Sequence, residues 1–453
     1  MLTKIIKNGV DVCRVNFSHG TQDQHKEVIN NIRSINEKLN SNICILQDLQ
    51  GPKLRVGKIL PNSILKEGQS VILTQLEIEG NDKKFTVRYP YLTKDVRPGE
   101  KILIDDGKIS VEVTKYLNKN ELEAKVIYGG ELKSNKGFNL PFSKLSVPSM
   151  TDKDLEDLKF GLEMDVEWVA LSFVRKPEDI IYLKGIIERR GKNTKVIAKI
   201  EKPEAVEKID EIIDVADAIM VARGDLGVEM PVQEVPLIQK SIVVKCIEKS
   251  KPVIIATQMM ESMIENSIPT RAEVNDVANA VLDGADAVML SAETSVGKYP
   301  EKVVEYMQKI VADVEKDDRV YFKGVKPNSK SKTFLSDEIC FTAVRMSDHI
   351  GARAIIGMTR SGYTGYKVAS FRPKADIYIF TDNLPLLNTM NLVWGVRGFF
   401  YNTFESTDNT FEDVLSILKK NKVVKKNDKV INTASMPIMA QQRTNMIKIS
   451  KVE

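Results

Sequence analysis

The sequence predicts an α/β chain in three parts: a parallel (β/α) barrel, an all-β domain inserted into it, and a C-terminal open α/β domain. Three observations carry this. Short β-branched runs that end in polar or charged residues alternate with helical patterns: CRVNFSHG, ICILQDLQG, VEWVALSFVR, KVIAKIE, AIMVARGD, PVIIATQM and AVMLSAET. Between the second and third of these runs the texture changes to period-two alternation with hairpin signals. After the last run a lysine- and serine-rich stretch, KGVKPNSKSKTF, reads as a linker, and a second series of strand and helix patterns follows it.

The first alternation is the mark of parallel strands joined by helices. Its strands are nearly continuous apolar runs, as expected where both faces of a sheet are covered. The seven runs fall one short of the eight that close a TIM-type barrel. The chain opens with a helical pattern, LTKIIKNG, feeding straight into CRVNFSHG, so the eighth unit is expected to precede residue 1. The barrel is assigned to residues 1–52 and 150–318. The insertion, residues 53–149, contains SVILTQLEI, KFTVRY, KILIDDGKISVEVTKYL and ELEAKVIY, with Asp106-Gly107 read as a two-residue hairpin turn. It leaves after GPKLR and returns at VPSMTDKD, on the side where loops leave the strands' carboxyl ends, and is read as a lid. In residues 331–453, ARAIIGMT, ADIYIFTD, GFFYNT and DKVINTAS alternate with helices, which predicts an open α/β domain.

Composition narrows the function. Of 453 residues, 42% are hydrophobic and 28% charged, so a large core is available and disorder is excluded. The net charge of +4 comes from 66 basic against 62 acidic residues, with no aromatic-interleaved basic stripe, which argues against a nucleic-acid binder. Cys13, Cys44, Cys246 and Cys340 form no Cys-x-x-Cys pair and read as reduced, mostly buried thiols. No run approaches the ~18 apolar residues that span a bilayer. The expected location is the cytoplasm, without a membrane partner.

In a parallel barrel the functional groups sit where strands end. Those positions hold Arg14, Asn16 and Ser18, then Asp48, Lys199 and Glu201, Arg223 and Asp225, Thr257, and Ser291 and Glu293. So many converging charges are costly unless they serve a ligand. In AKIEKPEA, Lys199 and Glu201 alternate so as to point to one side of a strand. A structural salt bridge fits that pattern as well as a binding site does. In VARGDLGVE, Asp225 supplies with Glu201 an oxygen-rich pair suited to Mg²⁺, which takes one or two carboxylates and fills its other positions with water and substrate oxygens. Gly224 and Gly227 permit close backbone approach, and the amides opening the next helix can receive a carboxylate or phosphate; a turn and helix cap is the plainer use of such a string. Together these residues predict an enzyme with a divalent metal and a phosphorylated substrate at the barrel's mouth.

MLTKIIKNGVDVCRVNFSHG, DLQGPKLR, AKIEKPEA, VARGDLGVE, ATQMMESMIENSIPTRAEVNDVANAV and MLSAETSVGKYP resemble the signature blocks of the pyruvate kinases, in that family's order and over nearly the whole chain. The resemblance implies Mg²⁺- or Mn²⁺-dependent phosphoryl transfer from phosphoenolpyruvate to ADP, giving pyruvate and ATP, the last step of glycolysis. It implies that Lys199 and Arg14 hold the phosphoryl group, that Glu201 and Asp225 carry the metal, and that Asp225 and the backbone around Gly224 meet the substrate. Thr257 would lie near the carbon that is protonated, with Ser291 in the proton path or a plain hydrogen-bond partner. Asn16, His19, Arg55 and Lys136 match the nucleotide positions, and His19 has a second use as a helix-capping or packing residue.

Members that bind K⁺ do so through positions matching Asn16, Ser18, Asp48 and a threonine that is Leu49 here, while Lys53 matches members that do without the ion. An anchored ammonium supplies the charge the ion otherwise provides, so K⁺ is expected not to be required. The family's first strand, of pattern Thr-Lys-Ile-x-x-Thr-Ile-Gly-Pro, is absent. Thr359, Ser361, Gly362 and Thr364 in MTRSGYTGYKVASFRP resemble an allosteric sugar-phosphate site, and helix capping explains them equally. The family commonly forms homotetramers, so the C-terminal domain is expected to serve regulation and oligomerisation. Two alternatives stand beside this one: a metal-dependent lyase acting on pyruvate or its enol, which needs no nucleotide, and a catalytically silent member of the same family.

Overall fold

The structure is a computed structural model that describes residues 1–141, 143–403, 406–437 and 442–453. Seven parallel strands, β1 (Val12–Asn16), β2 (Cys44–Asp48), β3 (Trp168–Leu171), β4 (Lys195–Ile200), β5 (Ala218–Ala222), β6 (Val253–Ala256) and β7 (Ala287–Val288), pair in chain order into one curled sheet. The edges are β1 and β7. Outside them, helix Leu2–Lys7 packs on helix Pro300–Val314, with Lys4 3.4 Å from Glu301 and the Asn8 amide donating to the Glu301 carbonyl at 3.0 Å. The helical layer thus joins the first unit to the last.

Each strand buries two different faces. Outward residues such as Ile45, Val169, Val196 and Ile219 pack under the helices. Inward residues Cys44, Leu46, Trp168, Ile197, Met220 and Ile254 fill the lower barrel. Leu392, from the C-terminal domain, closes that apolar layer from below. Register aligns Asn16 with Asp48 and Ala170 with Asp48, so the upper ends of the first three strands meet at one level.

The inserted segment has a core of its own. Its six-stranded sheet runs in the order Phe138–Asn139, Lys101–Ile104, Ile109–Asn118, Glu121–Tyr128, Ser70–Thr74, Lys84–Thr86. The predicted two-residue turn at Asp106-Gly107 is corrected: the hairpin pairs Ile104 with Ile109, leaving a four-residue connection. Asp105, Asp106 and Gly107 all adopt positive φ, at 52°, 57° and 84°. The longer turn frees the Asp105 carboxylate to pair with Lys136 at 2.8 Å.

The C-terminal sheet contains β8 (Ala354–Met358), β9 (Asp376–Thr381), β10 (Val396–Phe400), β11 (Lys429–Ala434) and β12 (Met446–Lys451), in the order β10-β9-β8-β11-β12. The first four are parallel, and β12 adds antiparallel to β11. Sequence reading identified no strand in MIKISK, because an edge strand with half-exposed residues carries little apolar signal. Against the barrel, Arg372 is buried between Asp286 at 3.1 Å, the Gly284 carbonyl at 2.6 Å and the face of Trp394. The Trp168 indole donates to the Thr389 carbonyl at 3.2 Å. Among the described residues, the four cysteines are free thiols and no helix is long and apolar enough to cross a membrane.

Candidate active site

On β4 the inward alternation that places Ile197 in the apolar layer places Lys199 and then Glu201 above it. Lys199 is 9% exposed, and its ammonium donates to Asp48 Oδ1 at 3.2 Å and Ser172 Oγ at 2.7 Å and lies 2.9 Å from Glu201 Oε1. Asp48 is the hub of the arrangement. Its second oxygen accepts from Arg14 Nε at 2.6 Å, so two cations from different strands share one buried carboxylate. Burial opposes the Lys199 charge, but Asp48 and Glu201 outweigh it and raise the ammonium pKa. For Asp48, burial favours protonation and the adjoining Lys199 and Arg14 overcome it, holding the carboxyl below its ordinary value.

Glu201 behaves differently. Burial raises its carboxyl pKa, Lys199 opposes, and the like charge of Asp225 adds to the rise. Two hard oxygen donors of like charge are the kind of pair that suits a divalent cation with open positions, the use the sequence predicted for them. Among the described residues no cluster of three or more His, Cys, Asp or Glu side chains is disposed to hold an ion. Glu201 is also fixed by the Phe173 amide, which donates to its Oε2 at 2.7 Å. Phe173 takes φ 54°, and Thr257 and Gln258, just past β6, take 67° and 55°. Left-handed backbone at bulky or β-branched residues costs about 1–3 kcal/mol each and clusters where function demands it. The Thr257 hydroxyl donates to the Ala256 carbonyl at 2.6 Å and accepts from the Gly224 amide at 2.8 Å, which ties strand end β6 to the helix that bears Asp225.

Not every predicted residue converges. Arg223 turns away, its guanidinium on Asp276 at 2.6 Å and the Thr257 carbonyl at 2.7 Å, so it braces the loop. Glu293 is spent on local amides, accepting from Ser291 at 2.6 Å and Met260 at 3.3 Å. Asn16 accepts from the Ser18 amide at 3.0 Å, and Leu49 is core. His19 is exposed; Thr21 caps the following helix, and it is His25 that packs on Phe17. On the lid, Arg55 lies opposite Gly137 and donates to the Asn135 carbonyl at 2.9 Å, beside Lys136. Lys53 lines a small cavity between lid and barrel with Asp225, Arg175, Lys202 and Glu229.

Thr359, Ser361 and Thr364 line a separate cavity of about 680 Å³ in the C-terminal domain, with Arg443 and Thr444 from the segment before β12. Gly362 donates its amide to Thr359 Oγ1 at 3.1 Å, and the Thr364 and Thr444 hydroxyls are 2.8 Å apart. TASMPIMAQQRTNMIKI shows no glycine-rich loop of the kind that closes over fructose bisphosphate in some members, and its residues 438–441 lie outside the described residues. Sequence reasoning missed Ser172, although it follows directly on a strand that had been identified, and it missed Arg175, Lys202, Glu229 and Asn139, whose partners are distant in sequence.

Known proteins resemble this chain over its full length. Residues 1–304 match the pyruvate kinase barrel domain and residues 337–450 the pyruvate kinase alpha/beta domain. The chain is 42% identical over 459 residues to pyruvate kinase 2 of Synechocystis sp., covering all of this chain and 77% of that protein. It is 41% identical over 449 residues to the pyruvate kinase of Corynebacterium efficiens, covering 99% of this chain and 94% of that one. A crystal structure of a pyruvate kinase from Cryptosporidium parvum superposes with a TM-score of 0.93 at 32% identity, covering all of this chain and 93% of the other. A TIM-type barrel with this lysine and these carboxylates at its mouth, and relatives of one kind over its full length, place the chain in the pyruvate kinase family.

Proposed function

We propose that phosphoryl transfer from phosphoenolpyruvate to ADP takes place above β4, on Lys199, Arg14, Glu201 and Asp225. The observation that carries this reading is the Lys199 ammonium, buried and held between Asp48 and Glu201 at 3.2 and 2.9 Å. Phosphoryl transfer is chiefly a problem of positioning and of stabilising charge. Lys199 and Arg14 are both aimed by Asp48, so two fixed positive charges meet the phosphoryl oxygens without reorganising. Glu201 and Asp225 would hold Mg²⁺ or Mn²⁺, which when bound supplies charge neutralisation between phosphate and enolate oxygens. The Gly224 amide would receive the substrate carboxylate in competition with Thr257, which accepts from it at 2.8 Å. Release from that bond would turn the Thr257 hydroxyl towards the carbon to be protonated, with Ser291 at the neighbouring strand end. Asn16, His19, Arg55 and Lys136 would take the nucleotide, the last two from the lid.

Activity independent of K⁺ is supported by the same contacts. Both Asp48 oxygens are already on cations, Asn16 accepts from an amide, and Lys53 stands at the lid's exit. ATP formation from phosphoenolpyruvate, ADP and Mg²⁺ should reach near-full rate without K⁺. No ATP would reject the site, and a large rise on adding KCl would reject the independence alone.

The cavity around Thr359, Ser361, Gly362 and Thr364 is proposed to take a sugar phosphate, supported by Arg443 on its wall. Thermal-shift titration with several sugar phosphates should raise Tm, and no shift with any would count against it. Assembly into a homotetramer is supported by exposed apolar side chains on the barrel, among them Val232, Leu237 and Val296. The substrates support a cytoplasmic setting.

A further inference from the structure

The small cavity between lid and barrel contains a contact that the proposed chemistry leaves unexplained. Glu229 is 4% exposed, and one of its oxygens, Oε1, accepts from two donors. Lys202 Nζ donates to it at 2.6 Å, and the Asn139 side-chain amide donates to it at 2.8 Å. The other oxygen, Oε2, is buried and receives no donor among the described residues. A carboxylate taken out of water is costly unless its geometry serves something.

The two ends of this contact have particular positions. Lys202 directly follows Glu201 in the chain. Glu229 ends the helix Arg223–Glu229, one turn beyond Asp225, and so lies on the same face as that carboxylate. Asn139 belongs to the lid: its strand pairs with Lys101–Ile104, register Asn139 to Leu103. Two residues earlier Gly137 lies opposite Arg55, and next to it Lys136 is paired with Asp105. Arg55, Lys136 and Asn139 therefore lie along one returning segment of the lid.

We infer that Glu229 is a positioning residue: through Lys202 and Asn139 it ties the nucleotide-binding edge of the lid to the segments bearing the two metal carboxylates. This rests on the proposed placement of ADP at Arg55 and Lys136. A hydrogen bond to an ionised carboxylate is roughly twice as strong as one between neutral groups. Its loss leaves metal and substrate groups in place while the two lid cations lose their register. The effect belongs in the KM for ADP rather than in the KM for phosphoenolpyruvate.

The test is a donor–acceptor swap in the full chain. Asn139→Asp sets a carboxylate against Glu229 and should raise the KM for ADP about ten-fold or more. The KM for phosphoenolpyruvate should stay within about two-fold, because the substrate groups lie on the barrel. The double variant Asn139→Asp/Glu229→Gln restores the bond with its polarity reversed and keeps a counter-charge for Lys202. It should recover most of the ADP affinity. Two results would overturn the inference: an Asn139→Asp enzyme with a normal KM for ADP, or a double variant no better than the single one. If Asn139→Asp fails to fold, the double variant decides, since a merely structural pair would recover stability without recovering the KM. Mn²⁺ binding, measured by calorimetry, separates this from the proposed site. If Glu201→Gln binds Mn²⁺ as the parent does, the metal reading fails; if it does not and the swap has no effect, only the strap fails.

Discussion

The two ends of the barrel interior are lined by the same strands and have opposite characters. At the lower end β2 presents Cys44 and Leu46 and β4 presents Ile197, and Leu392 seals the layer. At the upper end the same strands present Asp48, Lys199 and Glu201, all under 10% exposed. Two residues further along each inward face, packing gives way to ion pairing. The lower end obtains its stability from area removed from water, which is non-directional and tolerant of shape. The upper end links three strands' charges in a chain of contacts of 3.2 Å or less, Arg14 to Asp48 to Lys199 to Glu201, where removing any one leaves another uncompensated. The fold confines directional, costly contacts to the end where loops open, and the apolar end keeps the strands in register.

Substitutions at the two ends should therefore fail in different ways. The largest effect is expected for Lys199→Met, which removes the buried cation while preserving length. We expect kcat for ATP formation to fall by about 10³-fold or more, the range seen when a preorganised charge-stabilising group is lost. An activity within ten-fold of the parent would break the contrast. Leu392→Ala at the lower end should do the reverse, lowering stability by about 2–5 kcal/mol in chemical denaturation. Its kcat should stay within about two-fold of the parent. A large loss of kcat would mean that the lower end also shapes the catalytic geometry.

How much of this contrast could be read from the chain follows from its period. The inward series Val12-Arg14-Asn16, Cys44-Leu46-Asp48 and Ile197-Lys199-Glu201 is explicit in the sequence, because strand alternation has a period of two and barrel chemistry lies at carboxyl ends. What a strand-end residue faces is not in that period. Arg223 finds Asp276 and not the charged cluster above β4, and Asp48, at a position that in K⁺-binding members holds the ion, serves here as the common counter-ion of Arg14 and Lys199. Asn139 meets Glu229 across 90 residues, a contact no local pattern announces. The four-residue turn at Asp105 escaped for a related reason, since its length answers to Lys136 and not to hairpin twist alone.

A smaller effect tests where the lower end meets the C-terminal domain. The Trp394 indole donates to Glu315 at 3.1 Å. Burial raises the Glu315 carboxyl above its ordinary 4.5, with the Trp394 donor and Arg372 opposing. A carboxyl with a raised folded pKa contributes its stability below the unfolded value and loses it as pH rises through the folded one. Glu315→Gln keeps an acceptor for Trp394 and removes that titration. The Tm of the variant should thus fall less steeply with pH above 4.5 than that of the parent, with a gain of about 1 °C at neutral pH. Superimposable profiles would show that this carboxyl is not desolvated.

In the proposed site Glu201 and Asp225 share one divalent ion beside Lys199. Calorimetric titration of Mn²⁺ into the parent, Glu201→Gln and Asp225→Asn measures it directly. We expect one site in the parent and at least about ten-fold weaker binding in each variant. Parent-like affinity in both variants would place the ion elsewhere and contradict it.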